Sequence, residues 1–233
     1  MERHHFQHDL EALKGQLLRM GGAAEAIVGK SIEALKRRDL AMANEVFEDD
    51  RIVDRLEIDI EERCLRLLAL QQPMASDLRF ITGALKINND LERVGDHAVN
   101  IAGSAVRLSD QPPLKPLVDI PHMAKVAAEM LHEALDSFVS RDPVRARKLV
   151  KRDDEVDQLN DQVFRELLTY MIEQPTTISR AMELILVARN LERVADLATN
   201  IAEEVVFIAE ARIIKHHAED APAGAPGDDF GRT

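Results

Sequence analysis

The sequence has no tryptophan, and aromatic residues make up only 3% of its 233 residues. Sheet proteins rely on aromatic and β-branched side chains to cover their pleated faces. Apolar residues nevertheless account for 45% of the chain, a balance that suits helices packed through Leu, Ala and Val. We therefore expect an all-α fold.

Cysteine and long apolar segments are also scarce. The single cysteine, Cys64, excludes an internal disulfide framework, and its neighbours form no zinc or redox motif. We expect it to be a small packing residue of a helix. No apolar run approaches the roughly 20 residues that span a bilayer, and the start of the chain is too polar for a signal peptide. A cytoplasmic protein is expected.

A basic surface is the third feature that the chain lacks. The 42 acidic residues outnumber the 30 Lys and Arg residues, which gives a formal net charge of -12. Nucleic-acid binding requires positive charge against the phosphate backbone, so this composition argues against it. Cations or basic partner surfaces match the chain better.

Proline and glycine are rare within the apolar segments and mark the breaks between them. Within each segment, apolar residues recur every three or four positions, which is the helical period. The predicted helices lie near residues 5–38, 40–71, 75–109, 120–140, 143–173 and 177–215. Asp39 and Asp142 stand where helix N-caps belong, and Pro143 takes the first helical position after the second of them.

An internal repeat indicates that the fold is duplicated. The segment LERVGDHAVNIA at 91–102 returns as LERVADLATNIA at 191–202, with nine of twelve residues identical. A second pair of segments, 38–56 and 141–159, is offset by 103 residues and shares the pattern D-x-x-V-D-x-L. A shared packing seam explains the repeated apolar residues but not the repeated Glu, Asp and Asn.

The short connections between the predicted helices favour antiparallel neighbours. We therefore predict two tandem, pseudo-symmetric, antiparallel three-helix bundles, six helices in all. The first bundle is expected over 1–110, a linker over 111–119, the second bundle over 120–217 and a disordered tail over 218–233. The tail is rich in Gly, Pro, Ala and Asp and cannot bury enough apolar surface to stay ordered.

The repeated polar residues recur at four-residue spacing in both halves, which places them along one helix face, away from the apolar seam. In the first half these residues are Asp50, Asp54, Glu92, Asp96 and Asn100. In the second half they are Asp153, Asp157, Glu192, Asp196 and Asn200.

The distances of these residues from the turn predict which of them meet. Asp54 and Glu92 both lie 19 residues from Pro73, and Asp50 and Asp96 both lie 23 residues from it. In an antiparallel pair of helices, each pair therefore sits at one height. The corresponding counts in the second half differ by only one residue, or roughly 1.5 Å of helical rise.

Clustered carboxylates repel one another unless they are protonated or neutralised, and a bound cation relieves that repulsion. Carboxylate oxygens with an Asn carbonyl are the hard ligands that magnesium, calcium, manganese or iron prefer. The ten residues are therefore candidate metal ligands. The alternative is a solvated acidic face that Arg93 and Arg193 partly neutralise. Leu197 replaces His97 in the second half, so a zinc-finger type of site is not supported.

The sequence offers no catalytic pattern to compete with this interpretation. Ser, His and Cys do not recur as a nucleophile with a base, and the glycines form no phosphate-binding loop. Two alternatives stay open. The same carboxylates would serve a metal-dependent enzyme if an open coordination position and a substrate pocket lay beside them, and a plain helical bundle would bind cations nonspecifically.

Three segments resemble the PhoU family of phosphate-transport accessory and regulatory proteins. They are DLRFITGALKINNDLERVGDHAVNIA at 77–102, HFQHDLEALKGQLLRMG at 5–21 and ARNLERVADLATNIAEE at 188–204. The resemblance covers residues 4 to about 215. It implies two similar three-helix bundles with metal clusters on the eight repeated carboxylates. It suggests iron or zinc as the metal, whereas magnesium or manganese remain possible from ligand chemistry.

The same resemblance implies a regulator rather than an enzyme. Such a protein links the ATPase subunit of the Pst phosphate ABC transporter to the PhoR sensor kinase. It restrains the phosphate-starvation response and phosphate uptake when phosphate is plentiful. Contact with the membrane complex is expected only through these partners, and we expect the chain to form a homodimer.

Overall fold

The computed structural model describes residues 2–214, with side chains from residue 5 onward, and its regular elements there are helices. The disordered tail predicted at 218–233 lies outside the described residues. Within the described range, no helix combines the length and the apolar character that crossing a membrane requires.

Two bundles of antiparallel helices follow one another along the chain, as predicted. The first bundle consists of α1 (Glu2–Arg37), α2 (Leu40–Gln71) and α3 (Ser76–Leu108). The second consists of α4 (Asp119–Ser140), α5 (Pro143–Val150), α6 (Asp153–Glu173) and α7 (Ile178–Glu210), with one 3-10 turn at Pro175–Thr177. The last helix ends at Glu210 rather than near 215. The fold class is therefore confirmed, and α5 with α6 forms the fifth of six helical arms.

The fifth arm differs from the continuous helix expected over 143–173, because a turn at Lys151 and Arg152 divides it. The Arg152 amide donates to the Leu149 carbonyl at 2.8 Å, a tighter pairing than the α-helical one. The first turn of α6 is acidic, and Asp153 stands in it. Negative charge stabilises a helix N-terminus, so this sequence favours a new helix start at that point.

The helix starts confirm the predicted caps and repeat the same geometry in both halves. Asp39 accepts hydrogen bonds from two amides of the first turn of α2 at 2.9 and 3.0 Å, and Asp142 does the same for α5 at 2.9 and 3.0 Å. The residues before them, Arg38 and Arg141, have φ of 58° and 51°, in the left-handed region. One turn has therefore been kept at both copies of the Arg-Asp pair.

Equivalent positions of the two bundles also carry one ion pair with its charges exchanged. Lys30 Nζ lies 2.5 Å from Asp49 Oδ2 between α1 and α2. The positions 103 residues later are Glu133 and Arg152, and Glu133 Oε1 lies 2.9 Å from Arg152 Nη1. The contact has been retained while its polarity has been reversed, which indicates that its role is to hold the first helix of each bundle to the chain segment that follows it.

The two bundles pack through α3 and α7, the helices that carry the sequence repeat. The helices run antiparallel: Lys86 near the start of α3 pairs with Glu204 near the end of α7 at 3.0 Å, and Arg107 near the end of α3 pairs with Glu183 at 2.7 Å. Glu204 is only 2% exposed, so this charge is satisfied within the interface.

The apolar seam predicted for these helices is buried in both copies. Its members are Leu91, Val94, Ala98, Ile101, Leu191, Val194, Ala198 and Ile201, all of them fully buried. Cys64 is buried and has a free thiol, as expected for a packing residue. The core therefore lies between the helices of each bundle and continues across the α3–α7 contact.

Close approach of α3 to α7 depends on a glycine. A Cβ atom added at Gly83 would lie 2.6 Å from Cδ1 and 2.7 Å from Cγ1 of Ile208, which is itself buried. Such separations are shorter than any normal carbon contact, so a side chain at Gly83 would force Ile208 out of its place. Gly22 on α1 is exposed and has open space around it.

We expect Gly83→Ala and Gly22→Ala to have opposite effects on the free energy of unfolding. Both gain helix propensity, worth up to about 1 kcal/mol, but only Gly83→Ala overpacks a contact, at about 1 to 3 kcal/mol. Urea unfolding should therefore show Gly22→Ala as more stable than the wild type and Gly83→Ala as less stable. Equal stabilisation by both substitutions would show that the α3–α7 contact tolerates a methyl group.

Candidate functional site

The carboxylates of the first half meet along the contact between α2 and α3. We call this set the first acidic cluster; it consists of Asp50, Asp54, Glu57, Glu92 and Asp96. Asp50, Glu57 and Glu92 are half-buried, and Asp54 and Asp96 are exposed. The cluster therefore lies at the edge of the core, where two helices bring side chains of one sign together.

Electrostatic repulsion within this cluster is visible in two of its members. Burial, together with the charges of Asp54 and Asp96, raises the pKa of Asp50 to about 6. Burial also raises the pKa of Glu92, as do Asp96, Glu57, Asp54 and Asp50 in that order. The partners of Asp50 include Asp96 and those of Glu92 include Asp54, as the counts from Pro73 predicted.

A glycine lets Asp50 lie directly against α3. A Cβ atom added at Gly95 would lie 2.5 Å from Asp50 Oδ1 and 3.5 Å from Val53 Cγ1. Any side chain at this position would therefore displace the carboxylate from the helix. The second half has Ala195 at the equivalent position, so Asp153 does not have the space that Gly95 gives to Asp50.

The second acidic cluster lies between α6 and α7 and consists of Asp153, Asp157, Glu192 and Asp196. Burial, together with the charges of Asp153 and Glu192, raises the pKa of Asp196 to about 6 although Arg193 opposes the shift. Burial and Asp157 raise the pKa of Asp153, which also accepts a hydrogen bond from Thr199 at 3.4 Å. Each half therefore contains two carboxyl groups with a raised pKa, Asp50 and Glu92 in the first and Asp153 and Asp196 in the second.

Comparison with known families places the chain in a known group of proteins. A family model described as the PhoU domain matches residues 17–105 and again residues 120–205. The chain belongs to the PhoU family. The two matches fall on the two bundles, so the duplication seen in the helices is a duplication of the PhoU domain.

Relatives extend the PhoU match over most of the chain. A protein from Aquifex aeolicus named phosphate-specific transport system accessory protein PhoU homolog is 45% identical over 208 residues, 89% of this chain and 94% of the relative. The crystal structure of PhoU from Pseudomonas aeruginosa superposes with a TM-score of 0.86 at 38% identity, covering 89% of this chain and all of that one. A PhoU structure from Streptococcus pneumoniae gives 0.84 at 28% identity, covering 89% and 98%.

The two acidic clusters of this PhoU chain differ in how far their charge is compensated. Asn160 stands 103 residues after Glu57, and its amide donates to Glu192 Oε2 at 3.0 Å. Arg193 lies 3.8 Å from Asp196, whereas Arg93 lies at the same distance from Asp90. The first cluster therefore contains one carboxylate more than the second, and a nearby arginine neutralises less of its charge.

The two predicted asparagine ligands have different surroundings from the carboxylates. Asn100 is exposed and lines a groove between α3 and α7 together with His97. Asn200 is half-buried one turn beyond Asp196. The structure thus brings the predicted carboxylates together and places Asn100 at the edge of the groove between the bundles.

Sequence reasoning missed Glu57 and Asn160, which complete the clusters. Both lie three residues after an aspartate of the predicted rows, Asp54 and Asp157, and three-residue spacing also keeps side chains on one helix face. That three-residue spacing was the signal that could have revealed them. It was less clear than the four-residue pattern, because the position is acidic only in the first half, where it is Glu57, and is Asn160 in the second.

The donor chemistry of the clusters fits a hard cation, but the side chains do not form a closed site. Carboxylate oxygens repelling one another are suited to magnesium, manganese or iron. Within residues 5–214, no three or more His, Cys, Asp or Glu side chains are arranged to hold one metal ion. A cation would have to draw the carboxylates inward, and in the first cluster the half-buried Asp50 carboxylate already lies against α3 at Gly95.

We expect Asp50→Asn to stabilise the metal-free protein at neutral and alkaline pH. The pKa of Asp50 is about 6 in the folded protein against 3.8 for a free side chain. The folded state therefore holds this proton more tightly, and its stability falls as the pH rises from about 4 through 6. With EDTA present, Asp50→Asn should raise the free energy of unfolding at pH 8 by about 1 to 2 kcal/mol, after allowance for solvent screening.

Urea unfolding at pH 4, 6 and 8 measures this effect. The stabilisation should shrink towards pH 4, where the wild-type carboxyl is protonated in the folded state. Asp110→Asn removes an exposed aspartate from the connection after α3 and should leave the pH profile unchanged. A loss of stability in Asp50→Asn at pH 8 would contradict the repulsion between these carboxylates.

Proposed function

We propose that this protein is a cytoplasmic accessory and regulatory protein of a phosphate-specific transport system. The observation that carries the proposal is the match of both bundles to the PhoU domain, together with relatives of that name over about nine-tenths of the chain. The described residues contribute acidic clusters and helix-helix contacts rather than a nucleophile with its base. A regulatory role without enzymatic activity follows from this interpretation.

Within that role, we propose that the protein links the ATPase subunit of a phosphate ABC transporter to the PhoR sensor kinase. Two bundles of one fold give the chain two acidic faces of similar geometry, and negative surfaces select partners with positive patches. An adaptor of this kind reaches the membrane complex only through its partners. We also propose that it acts as a homodimer and keeps the starvation response off while phosphate is plentiful.

Deletion of the gene should raise alkaline phosphatase activity in phosphate-replete cells, because the proposed restraint on the sensor kinase is lost. The measurement is phosphatase activity per cell in high phosphate, with the wild-type gene restored on a plasmid as the control. Phosphate uptake in high phosphate should rise in the same strain. Phosphatase activity that stays at the repressed level after deletion would contradict the proposed negative regulation.

We further propose that each acidic cluster binds metal ions. The raised pKa values of Asp50 and Asp196 reflect carboxylates that are desolvated and surrounded by like charges. A bound cation would replace this repulsion by attraction and would convert a destabilising arrangement into a stabilising one. Family resemblance suggests iron or zinc, and the all-oxygen donors leave magnesium or manganese as candidates. The first cluster, with less internal compensation, should bind more tightly.

Metal content measured on protein purified without added metal tests this proposal. We expect a variant in which four carboxylates of the first cluster are replaced by amide side chains to lose about half of the bound metal. Its substitutions are Asp50→Asn, Asp54→Asn, Glu92→Gln and Asp96→Asn. A control variant removes four exposed carboxylates elsewhere and should keep its metal. Its substitutions are Glu11→Gln, Glu62→Gln, Asp110→Asn and Glu173→Gln.

The result separates specific sites from the two alternatives. Equal metal content in the wild type and both variants would indicate a bundle that takes up cations nonspecifically. A metal-dependent enzyme would require, in addition, hydrolytic or redox turnover that disappears in the first variant and not in the control. Loss of metal without such turnover supports metal binding in a regulatory protein.

A further inference from the structure

A groove of about 390 Å³ runs along the contact between α3 and α7. We call it the arginine groove. Its lining residues come from both bundles: His97, Asn100, Ser104, Arg107, Leu186, Arg189, Asn190 and Arg193. Three arginines therefore face one cavity in a protein whose formal net charge is -12. Local positive charge in an acidic chain calls for a separate explanation.

Several arginines elsewhere in the molecule pair with carboxylates. Arg152 contacts Glu129 at 3.4 Å and Glu133 at 2.9 Å, and Arg147 forms two hydrogen bonds with Glu210 at 2.9 and 2.6 Å. These pairs satisfy the planar guanidinium group from two sides. Such arginines have few donors left for a ligand.

The arginines of the groove are differently placed. Arg189 is exposed and has no hydrogen bond or ion pair with any residue between 5 and 214. Arg193, on the same helix face one turn later, is 48% exposed and lies 3.8 Å from Asp196, beyond hydrogen-bond distance. Arg107 is engaged by Glu183 at 2.7 Å and by Ser104 at 3.1 Å. Arg189 and Arg193 therefore present open donors side by side.

The polar residues of the groove are held in place by neighbours, except for one amide. His97 Nδ1 lies 2.9 Å from the Asn190 side-chain oxygen, and the Asn190 amide donates to the Leu186 carbonyl at 2.7 Å. The first contact joins α3 to α7, and the second fixes the Asn190 side chain on α7. Asn100 is exposed and makes no such bond within the described part of the chain, so its amide can donate to a ligand.

We propose that the arginine groove binds a small phosphoryl anion through Arg189, Arg193 and Asn100. Each guanidinium offers a planar fork of N–H donors that matches two phosphoryl oxygens, and a tetrahedral anion accepts such forks from several directions at once. A planar carboxylate can be held in this way from one direction only. The bound anion is either free orthophosphate or the phosphoryl group of a larger metabolite. This binding is a property of the purified chain and goes beyond the accessory role proposed above.

Isothermal titration with the full chain in EDTA tests the proposal, because the chelator removes any metal that would itself bind phosphate. The probes are orthophosphate, pyrophosphate and ATP, each titrated separately. Saturation by orthophosphate identifies the free ion as the source, and saturation by only the two larger probes identifies a metabolite. Arg189→Gln should weaken the binding about tenfold, as loss of one charge-assisted contact predicts. Arg189→Lys keeps the charge but not the planar fork of donors, so its affinity should lie between those of the wild type and of Arg189→Gln.

Arg19→Gln is the matched control, since Arg19 is an exposed arginine of α1 and the same charge is removed. Its affinity for the probes should equal that of the wild type. An equal loss of affinity in Arg19→Gln and Arg189→Gln would show that only the overall charge matters and would overturn the proposal. Circular dichroism melting confirms that each variant is folded. Failure of all three probes to saturate at millimolar concentration would also overturn it, even if Arg189→Gln altered phosphatase repression in cells, because that pattern indicates an acidic partner protein in the groove.

Discussion

The antiparallel contact between α3 and α7 decides where every other feature of this protein can lie. These helices are the two copies of the sequence repeat, and each is packed on one side by its own bundle and on another by its counterpart. Gly83 allows the backbones to approach, and the buried Glu204 is satisfied by Lys86 across the contact. Polar residues of α3 and α7 are therefore confined to narrow strips that the packing leaves uncovered. One strip on each helix faces α2 or α6 and carries acid, and the strip along the contact carries arginines together with the ion-paired Glu183 and Glu204.

Much of this arrangement could be predicted from the sequence because it depends on local periodicity. Apolar spacing predicted the helices, the Arg-Asp pairs predicted the caps, and equal counts from Pro73 predicted that Asp50 would meet Asp96. The break at Lys151 and Arg152 was not predicted, because the apolar period runs through it and only the local charges favour a new helix start. The role of Gly95 depends on a neighbour on another helix, and sequence spacing alone does not reveal such an approach.

The arginine groove illustrates the same limit more strongly. Arg189 and Arg193 have four-residue spacing on α7, a pattern that in isolation is typical of any solvated helix face. Asn100 comes from the other bundle. Only the packing of α3 on α7 brings the three into one groove. Likewise, only the folded structure leaves Arg189 without a carboxylate partner among residues 5–214 while the arginines of α5 and of the turn after it have one.

Comparison of the two halves separates positions where charge serves packing from positions where its sign matters. The pair Lys30–Asp49 became Glu133–Arg152 without loss of contact, so a bridge between helices tolerates reversal as long as both partners change. The acidic clusters have not behaved in this way. Asp50 and Asp153, like Asp96 and Asp196, keep their negative charge although the pKa shifts indicate that each cluster lowers the stability of the metal-free fold. Substitution of one carboxylate by an amide would relieve that repulsion at almost no cost in packing, and Asn160, at the position equivalent to Glu57, is such an amide. The metal binding proposed above would account for acid at the remaining eight positions, because a bound cation replaces the repulsion by attraction.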